Sequence, residues 1–327
     1  MPPALFPPLP RRLFLATPAL IAGGAAAQSA WPDRPVRVIV PFPPGGGTDV
    51  IARIIAQHLQ ASFGQPFTVE NRSGGSGILG TEAVARAAPD GYTLGMTASG
   101  PLSVLPQLMQ VPYDPVGGLT HIAIPSYTPL LLVVPVHSPA RNLADLLARL
   151  RREPGRVNAC NIGVGSPSHL AAEMFARAFD VSFEQIPHRG SAPALTDTVA
   201  GTCDFLFDST ASSSPLVRQG QLRALAVTAP QRLPALPEIP TVAEQGAPGF
   251  AASTWSGLVG PAGLPPAITR RINQEVRALI ATPAQQQRIR DQGGVPLDLT
   301  PEGFTDFLRQ EIETWGRVIR AGNIRLT

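Results

Sequence analysis

The sequence predicts an α/β protein made of two lobes with mainly parallel sheets and a cleft between them. Three observations lead there. The chain has 327 residues, more than one hydrophobic core usually serves, so two cores are expected. Short β-branched runs alternate with helical patterns across glycine-rich turns, as strands laid parallel and covered by helices on both faces require. The C-terminal stretch has helical apolar spacing at Ile268, Ile272, Val276 and Ile280 and again from Phe304 to Ile319. Those faces need a sheet to cover, and the first lobe is expected to supply it. The chain then crosses between lobes twice, and ligands favour such interdomain clefts.

Residues 1–27 read as an export signal. Arg11-Arg12 precedes the apolar run Leu13 to Ala22 and the small residues Ala25-Ala26-Ala27, a charged, apolar and small-residue order that targets a chain for secretion. Arg11-Arg12-Leu13-Phe14-Leu15 also resembles a twin-arginine motif, and both export routes stay open. The apolar run is shorter than the roughly 20 residues of a bilayer span. The mature protein is therefore expected in solution in the periplasm, with residues 28–129 and 230–327 forming lobe one and 130–229 lobe two.

Val36 to Val40 is a strand that stops at Pro41-Phe42-Pro43-Pro44-Gly45-Gly46-Gly47. Thr48 or Asp49 can cap the helix that follows, with Val50, Ile51, Ile54, Ile55 and Leu59 on one face. The unit repeats from Phe67-Thr68-Val69 through Gly74-Gly75-Ser76-Gly77 to a helix ending near Ala87 and a strand at Tyr92 to Leu94. Leu130 to Val134 opens the second lobe. An Asn142-capped helix, a strand near Val157, a helix from Ser168 to Phe179, a strand at 183–186, a helix at 192–199 and strands at 203–207 and 222–227 follow. Pro230, Pro234, Pro237 and Pro240 mark a connector suited to the return crossing.

All 26 basic residues are arginine, and without Arg11 and Arg12 there remain 24 against 23 acidic residues. This balance supplies no clustered positive charge for nucleic acid or an anionic membrane. His58, His121, His137, His169 and His188 show no metal-ligand spacing with one another or with the cysteines, so no metal is expected, and no cofactor either. Cys160 and Cys203 could be bridged in an oxidising compartment, but two small buried hydrophobic residues is the preferred reading.

The glycine loops carry the functional signal. Gly45-Gly46-Gly47-Thr48-Asp49 exposes backbone N–H groups where a helix begins, which suits a carboxylate or phosphate, although a tight turn would need the same glycines. Gly75-Ser76-Gly77-Ile78-Leu79-Gly80 has the form of a dinucleotide fingerprint without the acid about 20 residues later. A lysine-bearing phosphate loop is excluded because the chain has no lysine. Gly163-Val164-Gly165-Ser166-Pro167-Ser168-His169 is a third polar loop, in which His169 reads either as a first-turn residue satisfied by backbone or as a ligand donor. A hydrolase would need G-x-S-x-G and an assembled base, and neither is found. Asp208, ending the strand from Cys203, could meet a ligand ammonium or hydroxyl, or cap a helix.

Taken together, Val38 to Asp49, Val69-Glu70-Asn71-Arg72, Gly77 to Thr81 and Ala88 to Leu94 resemble the signature blocks of the Bug-type receptors of tripartite tricarboxylate transporters. Gly163 to Leu170, Pro187 to Ala194, Phe207-Asp208, Pro240 to Glu244 and Pro301 through Gly316 agree in order, so the resemblance covers nearly the whole mature chain. It implies a type II periplasmic binding fold that closes by hinge motion over a small organic acid. It also implies a carboxylate held mainly by backbone groups and waters. Carried onto matching positions, the contacts come from Phe42, Gly46, Thr48, Asp49, Ser76, Gly77, Ser166, Ser168, His169, Gly190, Ser191, Ala192 and Asp208. The family often has an aromatic and a lysine where this chain has His188 and Arg189. Expected partners are membrane transporter subunits or, as an alternative, a sensor kinase reading the closed form, with the receptor itself a monomer.

Overall fold

The structure, a computed structural model, describes residues 31–322 and 324–325, and the export signal expected over 1–27 lies outside them. β1 (Val36–Val40) turns at the proline and glycine run into α1 (Gly47–Phe63), which buries Ala52, Ile55, Ala56 and Leu59 at helical spacing. β2 (Phe67–Asn71) and β3 (Thr93–Ala98) flank β1 in parallel, with α2 (Ile78–Ala85) between them in sequence. A π-helical turn at Gly100–Val104 leads to α3 (Leu105–Leu108).

β4 (Leu119–Pro135) belongs to both lobes. The second lobe continues through α4 (Leu143–Arg152), β5 (Asn158–Asn161), α5 (Pro167–Phe179), β6 (Glu184–Pro187), α6 (Ser191–Ala200), β7 (Phe205–Ser209), α7 (Thr210–Arg218) and β8 (Leu222–Val227). Asn142 caps α4 as expected, its side chain accepting from the Asp145 N–H at 2.9 Å. The chain returns in β9 (Ser253–Pro261), α8 (Pro266–Ala281), α9 (Pro283–Asp291), β10 (Val295–Pro296) and α10 (Pro301–Gly322).

Each lobe has the three parallel strands that the βα repeats predict, β2-β1-β3 in one and β7-β5-β6 in the other. The whole sheet is nevertheless mixed. β9 is antiparallel to β3 and β4, and β8 and β7 are antiparallel to β4. The physical reason is the crossing itself, because a chain that leaves a lobe along one strand and returns along its neighbour must run the opposite way. β4 pairs with β9 from Leu119 to Pro129, then with β7 and β8 from Leu130 to Pro135.

The segment 230–252 differs from the expectation that placed it in lobe one. Leu233 and Leu236 pack with Leu131, Val133 and Leu206, while Val242, Ala247 and Phe250 pack with Phe207 and Leu225, all in the second lobe. Val227 also bridges to Thr241. Proline spacing shows that no regular element forms here, but apolar residues between the prolines find the second lobe's uncovered face. Lobe one therefore resumes at β9. α10 spans the boundary: Phe304 and Leu308 lie in the lobe-one core, and Trp315 and Ile319 lie in the core of lobe two.

The preferred reading of the cysteines is corrected as well. Cys160 of β5 and Cys203, just before β7, form a disulfide with Cα atoms 5.6 Å apart and a separation of 43 positions in sequence. Parallel pairing of β5 with β7 brings together two positions that nothing local links. Closing a loop of that length restricts the unfolded chain, and we expect the Cys160→Ala, Cys203→Ala double variant to lose about 2–4 kcal/mol of unfolding free energy in urea. An unchanged urea midpoint, or two titratable thiols in the unfolded unreduced protein, would contradict the bridge.

Candidate functional site

The ends of five helices meet between the lobes. Gly46, Gly47 and Thr48 begin α1, Ser76 stands just before α2, Ser166 and Pro167 begin α5, Gly190 and Ser191 begin α6, and Ser209 precedes α7; all of these line one cavity. The strand-turn-helix order of each unit causes this convergence, since every helix starts at the same edge of its sheet. No side chain caps α1, α2 or α6. At α2 the Ile78 and Leu79 N–H groups turn back onto the Gly75 and Gly74 carbonyls, whereas the first N–H groups of α1 and α6 keep their hydrogen-bonding capacity for an anion, and the helix dipoles favour one.

Among the described residues no arginine or histidine lines this cavity. Its walls are otherwise apolar or hydroxylic: Phe42, Pro43 and Pro101 on one side, Ile162 and Ala192 on the other, and Thr128, Thr254 and Ser256 from the strands of the crossing. Thr48 Oγ1 and Ser256 Oγ are 2.9 Å apart, and Ser99 Oγ lies 3.2 Å from Thr254 Oγ1. The lobes touch across the mouth. A Cβ on Gly190 would sit 3.2 Å from Pro43 Cδ, and one on Gly163 would sit 2.9 Å from Ser76 Oγ, so glycine at these two positive-φ positions permits an approach that a side chain would block.

Of the residues singled out by the sequence, Phe42, Gly46, Thr48, Ser76, Ser166, Gly190, Ser191, Ala192 and Asp208 line the cavity. Asp49, Gly77, Ser168 and His169 do not, and each has a structural task instead. The buried Asp49 carboxylate accepts from the Gly45 N–H at 3.0 Å, Arg53 Nε at 3.0 Å and Asn71 Nδ2 at 2.9 Å. Burial alone would raise its pKa, but these hydrogen bonds, led by Arg53, outweigh it and hold the carboxyl below its usual range. Gly77 faces Phe42 and Pro101. Ser168 donates to the Phe207 carbonyl at 2.5 Å, while His169 Nδ1 accepts from the Gly165 N–H at 3.3 Å, and burial pushes its pKa down. Neighbours in sequence thus turn to different partners, and Ser168 and His169 form no nucleophile and base pair.

Asp208 is completely buried and is the charged side chain of the lining. Ser191 Oγ donates to Oδ1 at 2.7 Å and Ser212 Oγ to Oδ2 at 2.5 Å. Burial pushes its pKa up to about 6 against the pull of those bonds. His188 turns away from the cavity. Its Nε2 lies 2.8 Å from Asp197 Oδ2 and 3.7 Å from Cys160 Sγ. That neighbourhood of Cys160, Cys203 and His188 has metal-ligand character that sequence spacing did not reveal, but the disulfide consumes both thiolates. Thr128, Ser209, Ser212, Thr254 and Ser256 are lining residues that sequence motifs missed.

The sequence model described as the tripartite tricarboxylate transporter family receptor matches residues 51–324. Protein BugT of Bordetella pertussis is 37% identical over 318 residues, covering 96% of this chain and 96% of BugT. Among solved structures, R. palustris Rpa4515 with adipate superposes with a TM-score of 0.87 at 33% identity, covering 90% of this chain and 99% of that one. MatC from Rhodopseudomonas palustris with bound malate gives 0.84 at 31% identity, over 88% and 100%.

The raised pKa of Asp208 has a signed consequence. An unfolded carboxyl titrates near 4, so the stabilisation from the bound proton is fully present below about pH 4 and is lost as pH rises through about 6. The stability of the Asp208→Asn variant relative to the wild type should therefore rise by up to about 3 kcal/mol from pH 4 to pH 8. Urea midpoints across that range report the difference, and parallel curves would place the proton elsewhere.

Proposed function

The chain belongs to the tripartite tricarboxylate transporter receptor family, and from that premise we propose that it is a periplasmic binding protein. In this reading it captures a small mono- or dicarboxylate by lobe closure, releases it unchanged, and delivers it to the membrane subunits of a tripartite transporter. The observation that carries the reading is the convergence of the uncapped N-termini of α1 and α6, one from each lobe, on one cavity that no cationic side chain lines among the described residues. A carboxylate there is held by N–H groups and hydroxyls, with contacts divided between lobes. Binding then favours the closed arrangement because only that arrangement completes the contacts. The acids named with the two relatives, adipate and malate, support this ligand class. Among the described residues no helix is long and apolar enough to cross a membrane, in keeping with a receptor that depends on separate membrane subunits.

A thermal-shift panel of mono-, di- and tricarboxylates, amino acids and aromatic acids, run on protein stripped of ligand by partial unfolding, tests the proposal. Binding to the folded state alone should stabilise it by roughly 2.7 kcal/mol at a hundredfold excess over Kd. No shift with any acid would reject the carboxylate assignment. Thr48→Ala, which removes a hydroxyl from the lining, should weaken the best acid by about fivefold with little loss of stability. Asp49→Ala should instead lower stability by about 1–3 kcal/mol, since it orphans the groups that brace the loop. Undiminished affinity in a folded Thr48→Ala protein would move the head-group site elsewhere.

A further inference from the structure

A second, smaller cavity adjoins the cleft: Ile51, Thr128 and Ala211 line both. Its inner floor is apolar, formed by Ile54 and Ile55 of α1 and by Ile280 at the end of α8. Its outer wall is α9, which places Gln285, Arg288, Ile289 and Gln292 along it at helical spacing. The sequence runs from apolar at the shared boundary to polar and cationic at the far side. The Arg288 guanidinium makes no hydrogen bond or ion pair among the described residues, although those of Arg290 and Arg277 both have partners.

The charge distribution gives this layout a meaning. Within the cleft a second ligand carboxylate meets no cation, and the one charged lining residue, Asp208, is an acid. The side cavity supplies what the cleft lacks.

We propose that this cavity is a tail subsite of the ligand cleft, taking a straight apolar chain past Ile51 and Ala211 and a distal carboxylate against Arg288. The preferred ligand is then an elongated α,ω-dicarboxylate, with its first carboxylate at the helix N-termini. This rests on the carboxylate-binding reading and narrows it. Each methylene buried beyond the shared boundary should tighten binding about fourfold. The ion pair with an exposed arginine should add about two- to fivefold.

Calorimetry with straight-chain dicarboxylates of four to ten carbons, and the monocarboxylates of equal length, decides the matter on the wild type, Arg288→Gln and Ile289→Phe. Affinity should rise with chain length in the wild type. Arg288→Gln should weaken the long dicarboxylates toward their monocarboxylate counterparts and leave succinate unchanged. Ile289→Phe, outside the cleft lining, should abolish the gain with length, and its retained affinity for succinate or butanoate certifies that the protein is folded. Affinity that falls beyond four carbons, or a long-to-short ratio untouched by both variants, overturns the tail subsite while leaving carboxylate binding in place. Absence of binding by every acid in both series removes the carboxylate reading and this inference together.

Discussion

The relative placement of the lobes depends on one strand and one threonine. β4 carries the hydrogen bonds of the first sheet up to Pro129 and those of the second from Leu130 onward. At that junction the buried Thr228 exchanges backbone bonds with Leu130. Its N–H donates to the Leu130 carbonyl at 2.9 Å, and its hydroxyl accepts from the Leu130 N–H at 2.8 Å and donates to the Ala252 carbonyl at 2.5 Å. Outgoing and returning chains are thereby tied at a single buried point.

The same geometry lets the cleft offer hydrogen-bond donors to an anion without a cationic side chain. Helix ends contribute fixed partial charges that require no long side chain to be ordered on binding. Hydroxyls and peptide groups can also desolvate more cheaply than a guanidinium. Asp208 fits this economy because Ser191 and Ser212 satisfy its oxygens. The buried acid therefore joins α6 and α7 at the cleft floor as well as facing the cavity.

Much of the fold was legible from local patterns. β1 with α1 and the Asn142 cap of α4 announce themselves through contiguous residues whose physical preferences agree. β9 was not, because its polar Thr254 and Ser256 alternate with Trp255 and its Gly257 and Gly260 look like breakers. Their missing Cβ atoms make room for Phe304 and Leu264, a requirement visible only once α10 and the turn into α8 are in place. The Cys160 to Cys203 bridge and the packing of 230–252 failed for the same reason, being consequences of which strands become neighbours. At the site, loop motifs located the walls but not the directions of side chains. Asp49 and His169 sit in the right loops, yet Arg53, Asn71 and the Gly45 N–H hold the one and the Gly165 N–H holds the other, which turns them inward.

That division of labour bears on how such a cleft could change ligand. The head-group region is built from peptide N–H groups and glycines, so its chemistry survives most side-chain substitutions, while a bulkier residue at Gly163 or Gly190 would obstruct closure itself. The opposite end is bounded by ordinary side chains of α1, α7 and α9, where exchanging an isoleucine or an arginine leaves the hinge and the head-group contacts untouched. Selectivity can therefore drift at the tail without rebuilding the receptor. The helix that carries Arg288 buries none of its residues, so little of the core resists change there, and the cavity wall best placed to distinguish one acid from another is also the one whose alteration costs the fold least.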